Sequence, residues 1–321
     1  MRVVRVTRFG DPDVLVAGEA PDPVAGPGQV LVGVEVAEIN FVETQLRRGI
    51  TPGPPLPEPP YIPGGGVAGR VVSVGEGVDP LWEGRRVVTD TTGGNAELAV
   101  AAAANLIAVP QGLGLPEAAA LLHDGSTAVG LVENAGIRAG EWVLVEAAGG
   151  GLGSLLVQLA RAAGARVVGA ARGPGKLDLA RDLGAEAVVD YSETGWTEHV
   201  REATGGAGPD VVFDGVGGQI GWEAFQVTAR GGRFSVHGAS SGQATVITPQ
   251  DAERRDVTVI GLEQLMGMST GGRQRIEHAL VLAEQGRLRP VIGRTFPLEH
   301  AAEAHAAMES RSVLGKTLLT I

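Results

Sequence analysis

No cysteine occurs anywhere in the 321 residues. That absence excludes a disulfide, a thiolate-held zinc site and a cysteine nucleophile. Positive charge is also scarce. Against 37 Asp and Glu stand 26 Lys and Arg, a net charge of −11, so a nucleic-acid backbone is not the expected partner. No apolar stretch reaches membrane-spanning length without a charge or glycine inside it. The opening residues, Met1-Arg-Val-Val-Arg, run into a strand-like pattern and not into an apolar signal segment, so the cytoplasm is the expected compartment.

Glycine is abundant, with 50 residues, while apolar residues make up 44% and charged residues 20%. This is an ordinary globular composition with many tight turns, and the length suits two domains. The most informative stretch runs from Glu141 to Arg172. Trp142-Val143-Leu144-Val145 has strand length, and Gly149-Gly150-Gly151-Leu152-Gly153 makes a turn. Leu155, Leu156, Leu159, Ala162 and Ala163 then recur at helical spacing, Gly164 ends that helix, and Val167-Val168 starts a second strand. A βαβ unit with a glycine-rich first turn is the setting of a dinucleotide fingerprint. Glycine lets the backbone approach a pyrophosphate, and the helix N-terminus offers it N–H groups and positive dipole. An NAD site carries an acid about 20 residues past the glycines. Here that place reads Gly169-Ala170-Ala171-Arg172-Gly173. A guanidinium suits a 2′-phosphate, and Lys176 lies four residues on, so NADPH is the expected cofactor.

Elsewhere the pattern divides. Residues 1–110 read as β-rich, with Val30, Val32, Val34 and Val36 on one face of a strand. Thr51–Pro63 reads as a polyproline-like loop. Pro116–Leu122 and Thr127–Ala135 read as helices, with a turn at Asp124-Gly125-Ser126 between them. Strands are expected at Ala187–Val189, Asp210–Asp214, Arg233–His237 and Val257–Gly261. A final strand over Lys316–Ile321 suggests a return to the first domain.

The chain resembles the medium-chain dehydrogenase/reductase superfamily, and within it the zinc-independent quinone oxidoreductase branch. The resemblance rests on Asn40-Phe41-Val42-Glu43-Thr44, Ile62-Pro63-Gly64 with Val67-Ala68-Gly69, Ala147 through Gly153, Lys176-Leu177, Leu183-Gly184-Ala185, Asp190-Tyr191 and Gly315-Lys316. It implies an α/β architecture in which a GroES-like β-rich catalytic domain (1–123 and 262–321) wraps a Rossmann doubly wound parallel-sheet domain (124–261). It also implies an active site in the cleft between them and a homodimer. Carried over residue by residue, Gly150, Gly151, Leu152 and Gly153 would face the pyrophosphate. Arg172, Lys176, Tyr191 and Arg311 would surround the 2′-phosphate, and Thr127, Val216, His237 and Gly238 would line the nicotinamide end. Asn40, Glu43 and His123 would sit at the chemistry.

The departures from the family bear on that chemistry. The positions of the catalytic zinc ligands in zinc-dependent relatives hold Asn40, Gly65 and His123, and one imidazole of three makes no zinc site. No metal is therefore expected. Gln45 and Leu46 stand where many quinone reductases carry tyrosines, and Glu43 replaces the usual aspartate. Structural roles compete: Asn40 suits an N-cap, Glu43 the N3 position of a capping box, Tyr191 a packing aromatic, and His300 and His305 read as surface residues. The leading expectation is NADPH-dependent hydride transfer to a quinone, an enone or an enoyl thioester. A zinc alcohol dehydrogenase and an NADPH-binding protein with a structural or regulatory role are the alternatives.

Overall fold

The computed structural model describes residues 1–51, 55–267 and 271–321. Part of the expected Pro-rich loop, residues 52–54, lies outside them. Two compact units emerge, one of Met1–His123 with Ile276–Ile321 and one of Asp124–Arg275.

The first unit is built on a mainly antiparallel sheet. Its longest strand, Gln29–Ile39, pairs antiparallel with Gly66–Val74, Leu98–Ala102 and Lys316–Thr320. The C-terminal segment thus returns to the N-terminal sheet. Val30, Val32, Val34 and Val36 all face the core, as period-two alternation requires. The register with Gly66–Val74 shifts between Val34 and Val36. Past that irregularity Ala37, Glu38 and Ile39 are all buried. Glu38 therefore continues the inward series of valines with a charge.

In the second unit six parallel strands run in the order Ala187–Asp190, Arg166–Ala171, Trp142–Glu146, Val211–Asp214, Arg233–Val236 and Thr258–Ile260. Helices such as Gly151–Ala162 and Gly218–Val227 connect them. The chain first moves outward from Trp142–Glu146 in one direction, then returns beside it at Val211–Asp214 and moves outward in the other. These two strands therefore flank the topological switch point, and ligands of open α/β sheets lie at the carboxyl ends there.

Two expectations are corrected. Asp124-Gly125-Ser126 is no turn, because one helix runs through it from Leu115 to Ala135. Gly125 costs about 1 kcal/mol against alanine in a helix interior. Ten helical residues flank it on either side, among them the buried Ala118–Leu122 and Ala128–Leu131, and burial outweighs the penalty. His305 is not on the surface either. It lies fully buried with Ala301 and Ala304 on the inner face of Ala301–Glu309, whereas His300 is exposed and pairs with Glu303.

Candidate active site

Asn40 ends the long strand and opens the helix Phe41–Arg47. Its backbone N–H donates to the Glu43 carboxyl at 3.1 Å, the reach-back of a capping box. His123 comes to the same place from the helix Leu115–Ala135. The three residues singled out for chemistry are therefore brought together within the first unit. His123 Nδ1 lies 3.5 Å from Asn40 Nδ2.

Three residues without an assigned role complete the cluster. Glu38, wholly buried, hydrogen-bonds His123 Nδ1 through Oε1, and its Oε2 lies 2.7 Å from Lys316 Nζ. Lys316 also donates to Asn40 Oδ1 at 2.6 Å. On the outer side of the imidazole, Nε2 faces Asp90 at 3.0 Å. Glu38 was legible in principle as the polar successor of an inward valine series. Lys316 was visible as part of a family motif, but nothing near it in sequence links it to Asn40.

The electrostatics follow from this packing. Burial alone would raise the Glu38 carboxyl, but Lys316 and His123 outweigh it and carry Glu38 down to about 2. Burial likewise opposes a charge on His123, yet Glu38 and Asp90 hold its imidazole well above the usual range, so it is an imidazolium at neutral pH. Glu43 forms no ion pair in the cluster, and the more distant charges of Lys316 and His123 lower it too little to offset burial. Burial pushes it up to about 7, with Glu38 adding to the rise against the Asn40 N–H, and its Oε2 has no hydrogen-bond partner. Near neutrality Glu43 is thus a carboxylic acid about as often as a carboxylate.

The donor set is unsuited to zinc. Both imidazole nitrogens face carboxylates, and the ammonium of Lys316 holds the far side of Glu38. Among the described residues no group of three His, Cys, Asp or Glu side chains could hold a metal ion. The arrangement suits neutral and cationic donation. Lys316 takes the Asn40 carbonyl oxygen. The Asn40 amide N–H groups then point to the other side, where His123 Nδ1, protonated and bonded to Glu38, has no lone pair to accept them.

The expected cofactor residues lie mostly in the second unit. Gly150 caps the helix Gly151–Ala162 with extended backbone, and that helix carries Gly151, Leu152 and Gly153 in its first turn. A Cβ at Gly153 would lie 2.2 Å from the Ala147 carbonyl oxygen, so only glycine permits this approach of helix to strand. A Cβ at Gly149 would lie 2.5 Å from Lys176 Cβ, which brings Lys176 against the turn. Arg172 is exposed at the end of its strand. An acid not foreseen there also reaches this corner: Asp190 accepts from the Gly173 N–H at 2.8 Å and senses the charge of Arg172. Tyr191 packs against the apolar core of the unit. Val216, His237 and Gly238 gather around Gly215: a Cβ there would lie 2.8 Å from His237 Nε2, and one at Gly238 would lie 2.7 Å from the Gly215 carbonyl oxygen. Thr127 is half-buried in the helix Leu115–Ala135. Arg311 belongs to the first unit, where its guanidinium lies over the Phe41 ring at 4.3 Å.

Comparison with known proteins identifies the family and the fold. Residues 26–128 match the alcohol dehydrogenase GroES-like domain, and residues 151–284 match the zinc-binding dehydrogenase family. Rat quinone oxidoreductase is 33% identical, over 100% of this chain and 98% of the relative. A 2-haloacrylate reductase of Burkholderia is also 33% identical, over 98% and 97%. Among solved structures, Escherichia coli quinone oxidoreductase complexed with NADPH superposes with a TM-score of 0.92 at 27% identity, over the whole of both chains. A mycobacterial protein complexed with NADPH superposes at 0.91 with 31% identity, again over both whole chains. The chain belongs to the quinone oxidoreductase branch of the medium-chain dehydrogenase/reductase superfamily, a family of oxidoreductase enzymes.

Proposed function

We propose that the protein is an NADPH-dependent, zinc-independent reductase of conjugated carbonyl compounds: quinones, enones or enoyl thioesters. The glycine turn, the helix N-terminus at Gly151 and Lys176 packed against Gly149 fit a pyrophosphate with a phosphorylated ribose. Gly150, Gly151, Leu152 and Gly153 would hold the pyrophosphate. Arg172, Lys176, Tyr191 and Arg311 would hold the 2′-phosphate, and Thr127, Val216, His237 and Gly238 the nicotinamide. When bound, NADPH supplies hydride from its nicotinamide ring to the acceptor's β-carbon.

The protein's task is then to receive the negative charge that develops on the acceptor's carbonyl oxygen. Asn40 donates an amide N–H to that oxygen. Lys316 fixes the amide by holding its carbonyl end, and His123 adds the field of an imidazolium. Asp90, on the outer side of His123, links the imidazole to solvent for reprotonation. Glu43 supplies or stores a proton near neutral pH. The observation that carries this reading is the 2.6 Å bond from Lys316 to Asn40 Oδ1, which leaves the donor half of the amide for a ligand. That the E. coli and mycobacterial structures were solved with NADPH, and that a Burkholderia relative is a 2-haloacrylate reductase, supports the cofactor and an electron-poor alkene as acceptor. A homodimer in the cytoplasm is part of the same proposal, and no described helix is long and apolar enough to cross a membrane.

The test is NADPH oxidation against a panel of quinones, enals, 2-haloacrylate and enoyl thioesters. Saturable turnover with at least one class is expected. Cofactor binding without turnover across the whole panel would make the protein an NADPH-binding protein instead.

A further inference from the structure

Beneath the switch point of the second unit lies a buried acid that the reaction above does not use. Glu146 ends the strand Trp142–Glu146 and Asp214 ends the neighbouring Val211–Asp214, and both are fully buried. Asp214 Oδ1 accepts from the backbone N–H groups of Val216 at 3.1 Å and Gly217 at 2.7 Å, and its Oδ2 accepts from the Thr245 hydroxyl. The same Val216 N–H is shared with Glu146 Oε2 at 3.3 Å. Glu146 Oε1 is buried with no hydrogen-bond partner, and the two carboxyls, at the ends of paired parallel strands, meet at the shared Val216 N–H. Among the described residues the other titratable group facing the pair is His237, half-buried beside Asp214. Two ionised carboxylates in this space would repel strongly, and burial penalises each charge. One proton between them removes the conflict and ties both strand ends to the Val216–Gly217 turn.

We propose that Glu146 is a positioning residue for the cofactor: with a proton on its carboxyl it donates to Asp214 and locks the Val216–Gly217 turn at the nicotinamide end, and loss of that proton releases the turn. The inference rests on the cofactor placement proposed above. The direction of titration agrees, since burial, with Asp214 adding to it, holds Glu146 well above the usual carboxylate range, and burial pushes His237 down to about 4, leaving it neutral beside the pair. A group whose pKa rises on folding stabilises the fold at low pH, and that contribution is lost as pH rises through the folded value.

Glu146→Gln is the informative variant, because its amide NH₂ can donate to Asp214, its oxygen can accept from Val216, and it has no proton to lose. NADPH dissociation constants would be measured by fluorescence between pH 6 and 10 for wild type, Glu146→Gln and Glu146→Leu, together with the unfolding midpoints of the cofactor-free proteins. Wild-type affinity should weaken by about tenfold more than that of Glu146→Gln across this range, one pKa unit of linkage. Glu146→Gln should bind like wild type at pH 6, and Glu146→Leu should bind more weakly at every pH. The Gln variant alone decides the matter if the Leu variant does not fold. Parallel pH curves for wild type and Glu146→Gln would overturn the proposal, even if the unfolding midpoints diverged, since the pair would then hold the fold without positioning the cofactor. Absence of NADPH binding to wild type at every pH would overturn both this inference and the proposed function.

Discussion

At the residue scale, the cluster around His123 divides into groups that donate and groups that hold the donors. Asn40→Ala and His123→Ala should each lower kcat on the best acceptor, by about 10² to 10³ for the loss of an oxyanion donor. NADPH affinity should stay near wild type in both, and steady-state kinetics beside cofactor titration measure the split. Lys316→Met should imitate Asn40→Ala in kcat, since the amide then loses its anchor, but at a larger loss of stability because Glu38 is left buried beside His123 alone. Wild-type kcat in Lys316→Met would contradict its anchoring role.

Glu43 gives a pH prediction with a definite sign. Its pKa rises on folding from 4.5 to about 7. Its contribution to stability is therefore complete below the unfolded value and is lost as pH rises through about 7. Glu38, lowered to about 2, is ionised in both states across that window and contributes no slope there. Denaturant unfolding at pH 5 and pH 8 should show wild type losing on the order of 3 kcal/mol through this group, at 1.36 kcal/mol per pKa unit. Glu43→Gln should lose correspondingly less. Equal losses in the two proteins would mean that Glu43 is hydrated and not held apart from water.

At the element scale, the glycine turn is the most constrained part of the second unit. Gly153→Ala would set a methyl group 2.2 Å from the Ala147 carbonyl oxygen, which no rotamer relieves. The helix Gly151–Ala162 must then move off its strand, so affinity for NADPH should fall by about tenfold or more, roughly 1.4 kcal/mol, and the unfolding midpoint should fall with it. Gly175→Ala, at a position with open space around its Cβ, is the matched control.

This turn was legible in the sequence because its physics is local. Strand, glycines and helix follow one another within about thirty residues. The helix Leu115–Ala135 was less legible: Asp124-Gly125-Ser126 has turn chemistry in isolation, and only tertiary burial on both sides keeps it helical. In the cluster around His123, Asn40, Glu43 and His123 were found by position. Lys316 lies 276 residues from Asn40 in sequence, and Asp90 comes from a separate strand. Long-range pairings of this kind leave no periodic trace. Nor does the approach of Asp190 to Gly173, which follows from the parallel pairing of Asp190 with Ala171, two residues before Gly173.

At the scale of the whole molecule, one unit presents fixed donors and the other a dinucleotide fold, which suits hydride transfer in which charge is received by an amide and an imidazolium rather than by a metal. Arg172 and Lys176 should make NADPH bind at least about tenfold more tightly than NADH, a difference of about 1.4 kcal/mol, with Arg172→Ala weakening NADPH selectively. Equal dissociation constants for the two cofactors would show that Asp190 neutralises this corner. The central claim is hydride transfer from NADPH without zinc. Its most direct test is acceptor-dependent NADPH oxidation by one preparation before and after exhaustive chelation, with elemental analysis of both samples. The expected result is unchanged kcat and no stoichiometric zinc in either sample. About one zinc per chain before chelation, removed together with the turnover, would contradict it.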